Sequence, residues 1–124
     1  KELTEREIAD CIPDLWLPLT IEQRSLLAKN FTVQKFKKNE IIYCEGETPM
    51  HLMCLLSGKV KIYKDGVGGR SQIIRVMKDQ EYFAYRAYFA EEDFVTAAAA
   101  FEASIVCAIP MRLNIQIKME KNIY

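Results

Sequence analysis

From Phe31 to Met77 the hydropathy period is two, and a turn signal interrupts it every few residues. The stretch FTVQKFKKNEIIYCEGETPMHLMCLLSGKVKIYKDGVGGRSQIIRVM strings short β-branched or aromatic runs between Lys38-Asn39, Gly46 to Pro49, Ser57-Gly58 and the glycine-rich Gly66 to Gly69. Gly, Asn and Ser at such points supply the backbone conformations that tight turns need. In KVKIYK, Val60 and Ile62 alternate with Lys59, Lys61 and Lys64, as in a strand with one wet face. Many short strands at this spacing predict a mostly β sandwich, jelly roll or small barrel.

The residues before this region read as helix. Thr4 and Glu7 form a T-x-x-E capping box, with Leu3 and Ile8 at the positions of a hydrophobic staple. Pro13 and Pro18 break that helix. A second start follows at Thr20 with Gln23 three residues on, leading into IEQRSLLAKNF, where Leu26, Leu27 and Phe31 are expected to form a buried stripe. The boundaries are therefore helices over residues 1–30, strands over 31–110 and a tail over 111–124. In that tail Leu113, Ile117 and Tyr124 share a helical face, whereas Leu113, Ile115, Ile117 and Met119 alternate like a strand.

At 124 residues the chain has one domain's length, enough for a single hydrophobic core. Its 17 basic side chains balance 17 acidic ones, which argues against these residues gripping nucleic acid by themselves, since duplex binding needs a clustered positive excess. No apolar run approaches the roughly 20 residues that span a bilayer, and KELTEREIADCI is too polar for a signal peptide. A cytoplasmic protein without membrane partners is the expectation. The chain opens on lysine rather than methionine, so further residues are expected at either end.

Cys11, Cys44, Cys54 and Cys107 include no CxxC pair, and with nothing secretory in the sequence they are expected to be buried reduced thiols. His51 is the only histidine, which excludes a zinc site built on two or three imidazoles. No Ser/His/Asp set or pair of catalytic carboxylates stands out, so an enzyme is not expected. Glu91, Glu92 and Asp93 look like a solvated turn. Gly66, Gly68 and Gly69 lie between two strands with no GK[ST] after them, so a hairpin turn is expected rather than a phosphate loop. The run Ala97 to Ala100 is open between helix, which alanine favours, and strand, which VT before it and SIVCAIP after it favour.

Two helices, then KFKKNEIIYCEGE, MHLMCLLSGKVKIYKDG, RSQIIRVMKDQEYFAYRAYFAEE and VTAAAAFEASIVCAIP resemble, in order and spacing, the cyclic-nucleotide-binding domain of the Crp/Fnr superfamily of bacterial transcription regulators. The resemblance runs from about Leu19 to Pro110, and YRAYFAEE is similar to the Bacteroides-group regulators. It implies a double-stranded β-helix, a jelly-roll-like β-roll flanked by α-helices, with a ligand pocket inside. It makes the alanine run a strand, about half of whose small side chains face inward and leave volume for a ligand or for neighbouring side chains.

Members that bind cyclic AMP carry a glycine and a glutamate at a helical turn and, further on, an arginine followed by a small hydroxyl residue and alanine. The resemblance places these on Ala84, Tyr85, Val95, Thr96 and Ala97, so both charged anchors are replaced. A cyclic phosphate beside Val95 lacks its bidentate cation, and truncating one partner of a buried charge pair costs on the order of 2–5 kcal/mol. No useful cyclic AMP affinity is therefore expected. Arg86 is the nearby replacement: with Tyr82, Phe83, Ala84, Tyr85, Ala87, Val95, Thr96 and Ala97 it makes up the candidate ligand site, with Tyr82, Tyr85 and Tyr88 stacking on a different anion. The same arginine can also pack on Tyr85 or Phe89, or pair with Glu91 or Glu92.

No cofactor is implied. An iron-sulfur sensor needs close-spaced N-terminal cysteines, and His51, placed by the resemblance at a strand entry, reads as a solvated side chain rather than a haem ligand. The implied function is the effector-sensing domain of a transcription regulator with an unknown small-molecule effector. The full-length protein is then a homodimer that reaches DNA through a dimerisation helix and a helix-turn-helix outside these residues. The alternative is a ligand-free or stand-alone interaction module with the same β-roll.

Overall fold

The computed structural model describes residues 3–113, with the tail beyond Leu113 outside them. The helical boundary signals act as written. Helix α1 (Glu5–Cys11) is capped by Thr4, whose Oγ1 accepts from the Glu7 N–H at 3.2 Å while Glu7 Oε1 accepts from the Thr4 N–H at 2.9 Å. Pro13 opens a short helix, α2 (Pro13–Trp16), at a first-turn position where its missing N–H costs nothing. Helix α3 (Ile21–Asn30) repeats the reciprocal cap through Thr20 and Gln23, at 3.1 and 2.9 Å. Leu27 is fully buried and Phe31 packs beside it, but Leu26 is 43% exposed. Neighbouring helical positions point in different directions, and Leu27 takes the inward one.

Strands β1 (Thr32–Phe36), β2 (Ile41–Tyr43), β3 (His51–Ser57), β4 (Val60–Asp65), β5 (Ser71–Met77), β6 (Tyr82–Phe83), β7 (Ala97–Ala100) and β8 (Ser104–Pro110) form two four-stranded sheets. A fourth helix, α4 (Arg86–Phe89), lies between β6 and β7. The strand orders are β1-β8-β3-β6 and β2-β7-β4-β5, and every pair is antiparallel. This is the expected mostly β roll with N-terminal helices. The Gly66 to Gly69 segment is a short turn joining β4 to β5, as a hairpin reading requires.

Two apolar clusters fill the molecule. Ile8, Ile12, Leu15, Trp16 and Leu27 from the helices pack on Leu52 and Cys54 of β3 and on Cys107 and Ile109 of β8. The opposite faces of the same two strands, through Leu55 and Val106, join Tyr43, Val60, Ile62, Met77, Phe83 and Phe94 inside the roll. Strands β3 and β8 are therefore buried on both faces, which their nearly unbroken apolar runs HLMCLL and SIVCAIP require.

Cys54 and Cys107 face each other across this ladder, both buried. Cys11 is only half-buried. Cys44, expected inside, is exposed because β2 ends one residue before it and its N–H donates into the following turn, to Glu47 Oε1 at 2.8 Å.

Candidate functional site

The alanine run is a strand, half of whose side chains face inward as expected, and all four residues are between 0% and 4% exposed because the outer face is covered too. Register explains this. Ala98 and Ala100 pair with the inward Ile62 and Val60, and Ala97 and Ala99 pair with Tyr63 and Lys61 on the outer face. There the Lys61 ammonium lies 5.5 Å from the Tyr63 ring centroid and 5.9 Å from that of Phe101, and these long side chains cover the small ones. The space that Ala98 leaves inside is taken by Tyr43, opposite it in register and stacked on Phe94 with centroids 3.9 Å apart.

Past β6 the chain turns sharply. Ala84 sits at φ +72°, a left-handed conformation that favours glycine, at the position where the resemblance places one; an L-residue tolerates it at a cost of roughly 1–2 kcal/mol. Arg86 and Ala87 follow on α4, and Phe94, Val95 and Thr96 lead into β7. The EGE turn fixes this approach: the Gly46 N–H donates to the Phe94 carbonyl at 2.8 Å, and the Phe94 N–H to the Glu47 carbonyl at 2.9 Å.

Between these segments lies a cavity of about 210 Å³. Of the predicted site residues, Ala84, Arg86, Ala87, Val95 and Thr96 line it, and Tyr82, Phe83, Tyr85 and Ala97 do not. Tyr82, Tyr85 and Tyr88 pack against the helical cluster instead, and Phe83 is wholly buried inside the roll. Tyr82 and Phe83 are successive strand residues and so point to opposite faces.

The cavity also takes Tyr43, Ile62, Ile74 and Phe94, which the sequence reading did not single out. Ile62 was available from its alternation. Ile74 is the extra residue of a bulge: Ile62 pairs with Arg75 and Tyr63 with Ile73, leaving Ile74 unpaired. Ile42 is skipped in the same way beside Tyr43. Bulges bend a strand and re-aim its side chains, and both occur beside this cavity.

Its electrostatics are lopsided. One lining residue, Arg86, carries a cation and none carries a carboxylate. Burial pushes the Tyr43 phenol up to about 12, opposed by a hydrogen bond with the Thr96 side chain. Folded Tyr43 thus holds its proton where the unfolded chain has lost it. The stabilisation is complete below pH 10.0 and disappears as pH rises through about 12. Tyr82 is raised as well by burial, so the Tyr43 share is read by difference. Tyr43→Phe is expected to lose stability less steeply than the wild type across that window, by up to ~1.4 kcal/mol per pH unit in urea titrations.

On the other side of α4 a larger, more open groove of about 490 Å³ is rimmed by Glu91, Glu92 and Asp93, a setting that repels anions. Those three are exposed, as expected of a turn. His51 is half-buried as the first residue of β3, with its imidazole pKa lowered by burial and by Arg112. No described helix is long and apolar enough to cross a membrane.

Residues 33–120 match the cyclic nucleotide-binding domain. An uncharacterized protein of Haemophilus influenzae is 33% identical over 75 residues, covering 60% of this chain and 58% of that one. A cGMP-dependent protein kinase of Toxoplasma gondii is 30% identical over 111 residues, 85% of this chain but 11% of the kinase. The chain thus spans little more than half of one curated relative and a small part of the other. Among solved structures, the sensor domain of the transcriptional regulator DNR from Pseudomonas aeruginosa superposes with a TM-score of 0.79 at 23% identity, over 88% of this chain and 75% of that one. With the double-sheet roll, the flanking helices and the sequence match over most of its length, this chain belongs to the cyclic nucleotide-binding domain family.

Proposed function

We propose that the chain is the effector-sensing domain of a Crp/Fnr-type transcription regulator and that its effector is not a cyclic nucleotide. The observation that carries this reading is the composition of the cavity: one arginine on α4, no carboxylate, and an apolar Val95 where the cyclic-AMP-binding pattern has its arginine. The likeness to the DNR sensor domain supports the regulator assignment. At about 210 Å³ the cavity is also smaller than the roughly 300–1,000 Å³ of ordinary ligand sites. Cyclic GMP, named in the Toxoplasma relative, has the same cyclic phosphate and meets the same obstacle.

In this reading the effector acts by population shift: it favours one arrangement of a dimer and hence one spacing of DNA-reading helices supplied by chain outside these residues. Isothermal titration with cyclic AMP and with cyclic GMP is expected to give no binding in the micromolar range. Micromolar or tighter binding of either nucleotide would falsify the exclusion. Native mass spectrometry of protein purified from its own host tests for a retained small molecule. Consistent absence of any retained species, together with unchanged DNA affinity in effector-depleted extract, favours the ligand-free module, a reading that the interior Tyr43–Phe94 stack supports.

A further inference from the structure

The polar side chains that line the same cavity are already occupied. Thr96 is hydrogen-bonded with Tyr43, and Arg86 interacts with a neighbour in the chain. Among the described residues no buried side-chain nitrogen or oxygen lacks a hydrogen-bond partner. A site that reads a polar ligand holds out buried donors or acceptors for it, because a partner left unpaired is what rejects the wrong molecule. The rest of this lining, Ile62, Ile74, Ala84, Ala87, Phe94 and Val95, offers aliphatic and aromatic surface.

That surface is held in place. Tyr43 and Phe94 stack nearly parallel, at 15°, and the Phe94 backbone is fastened through both its N–H and its carbonyl, which makes a fixed aromatic wall. At the mouth Val95 is 62% and Ile74 48% exposed, apolar surface that an occupant would take out of water. An ionised group placed among these side chains would give up its hydration without an unengaged partner to replace it. An apolar cavity of roughly 150 Å³ is enough to hold benzene. At about 210 Å³ this one has room for a ring with a short alkyl branch.

We propose that the cavity binds a small neutral apolar molecule, monocyclic aromatic in shape, which lies against the Tyr43–Phe94 wall and covers Val95 and Ile74. This rests on the reading of the cavity as the effector site. The probe is toluene. Its controls are 1,3,5-trihydroxybenzene, a ring of similar size whose hydroxyls cannot all stay at the mouth, and benzoate, which adds a charge to the same body. Each is titrated into the full chain while the backbone amide signals of Ala87, Val95 and Thr96 are followed by NMR.

Toluene is expected to move these signals saturably, trihydroxybenzene to bind at least about tenfold more weakly, and benzoate to bind no more tightly than toluene; tenfold lies within the usual loss for burying a hydroxyl without a partner. Ala87→Leu, which fills the cavity, is expected to weaken toluene binding at least about tenfold. Val95→Ser, at an exposed position that leaves the fold intact, is expected to weaken it about threefold. Equal binding of toluene and trihydroxybenzene, tighter binding of benzoate than of toluene, or toluene affinity untouched in either folded variant overturns the neutral apolar assignment while leaving the effector-site reading standing. Failure of toluene to move any cavity amide overturns that assignment as well. A retained host molecule that moves those amides shows that the effector-site reading survives, and one that binds elsewhere removes both.

Discussion

Phe83→Ala is expected to destabilise the fold by about 3–5 kcal/mol, the usual result of emptying a fully buried phenylalanine site. Phe83 has no solvent exposure and sits in the interior cluster with Leu55, Met77 and Val106. Its ring centroid lies 6.5 Å from that of Tyr43, which in turn is stacked on Phe94. Strand β6 is two residues long and held to β3 through Met53 and Cys54, so little backbone is available to collapse into the void. Single domains are stable by about 5–15 kcal/mol, so the loss is a substantial share of the total. Urea unfolding is the measurement: the midpoint should fall with the slope unchanged. A loss below ~1 kcal/mol would mean that the interior repacks freely and that the aromatic wall is not rigid.

Gly58→Ala is expected to cost about 2–4 kcal/mol, from backbone strain and contact together. Gly58 has φ +105°, outside what L side chains ordinarily adopt. An added Cβ would lie 2.6 Å from the Ala103 carbonyl oxygen and would also meet Ser104 Oγ. Ser104 is the buried polar residue of this turn: its hydroxyl accepts from the Lys59 N–H at 3.1 Å and has the Glu102 carbonyl 2.7 Å away as an acceptor. The contact therefore disturbs the point where the entry to β4, in one sheet, is tied to the start of β8, in the other. Thermal unfolding of Gly58→Ala beside Gly46→Ala separates the two causes, because a Cβ at Gly46, also at positive φ, meets nothing within 4 Å. Equal losses at both positions would mean that strain alone is felt and that the Ser104 contact relaxes away.

What was legible in the sequence is what depends on neighbours along the chain. Both capping boxes, the Leu3–Ile8 staple, the Val60–Ile62 alternation and the turn positions follow from residues within a few places of one another. The alanine strand was not readable that way. Alanine prefers helix in isolation, and the pairing of β7 between β2 and β4 overrides that preference; VT and SIVCAIP on either side favoured a strand without deciding it, and the order of the flanking segments tipped the reading.

The site divides along the same line. Five of its predicted residues converge because they flank one helix and one strand entry. Tyr43 and Ile74 reach the cavity through bulges, and a bulge is set by register against a distant strand. The tyrosines expected to stack on a ligand turned toward the helices, a result that strand alternation offered for Tyr82 and that depends on tertiary packing for Tyr85 and Tyr88. Of the tail, Met111–Leu113 form a short 3-10 turn, and the rest of its helix or strand readings fall on residues outside those described.

The ladder of β3 with β8 has apolar side chains on both its faces, helices behind and roll interior in front. It is a partition one strand thick, with no cushioning layer on either side. A displacement of Leu55 or Val106 by something entering the roll has to be taken up by the backbone that also carries Cys54 and Cys107 beneath the N-terminal helices. A single sheet layer therefore separates the N-terminal helices from the roll interior, so each of the two clusters packs on the back of the strands that floor the other.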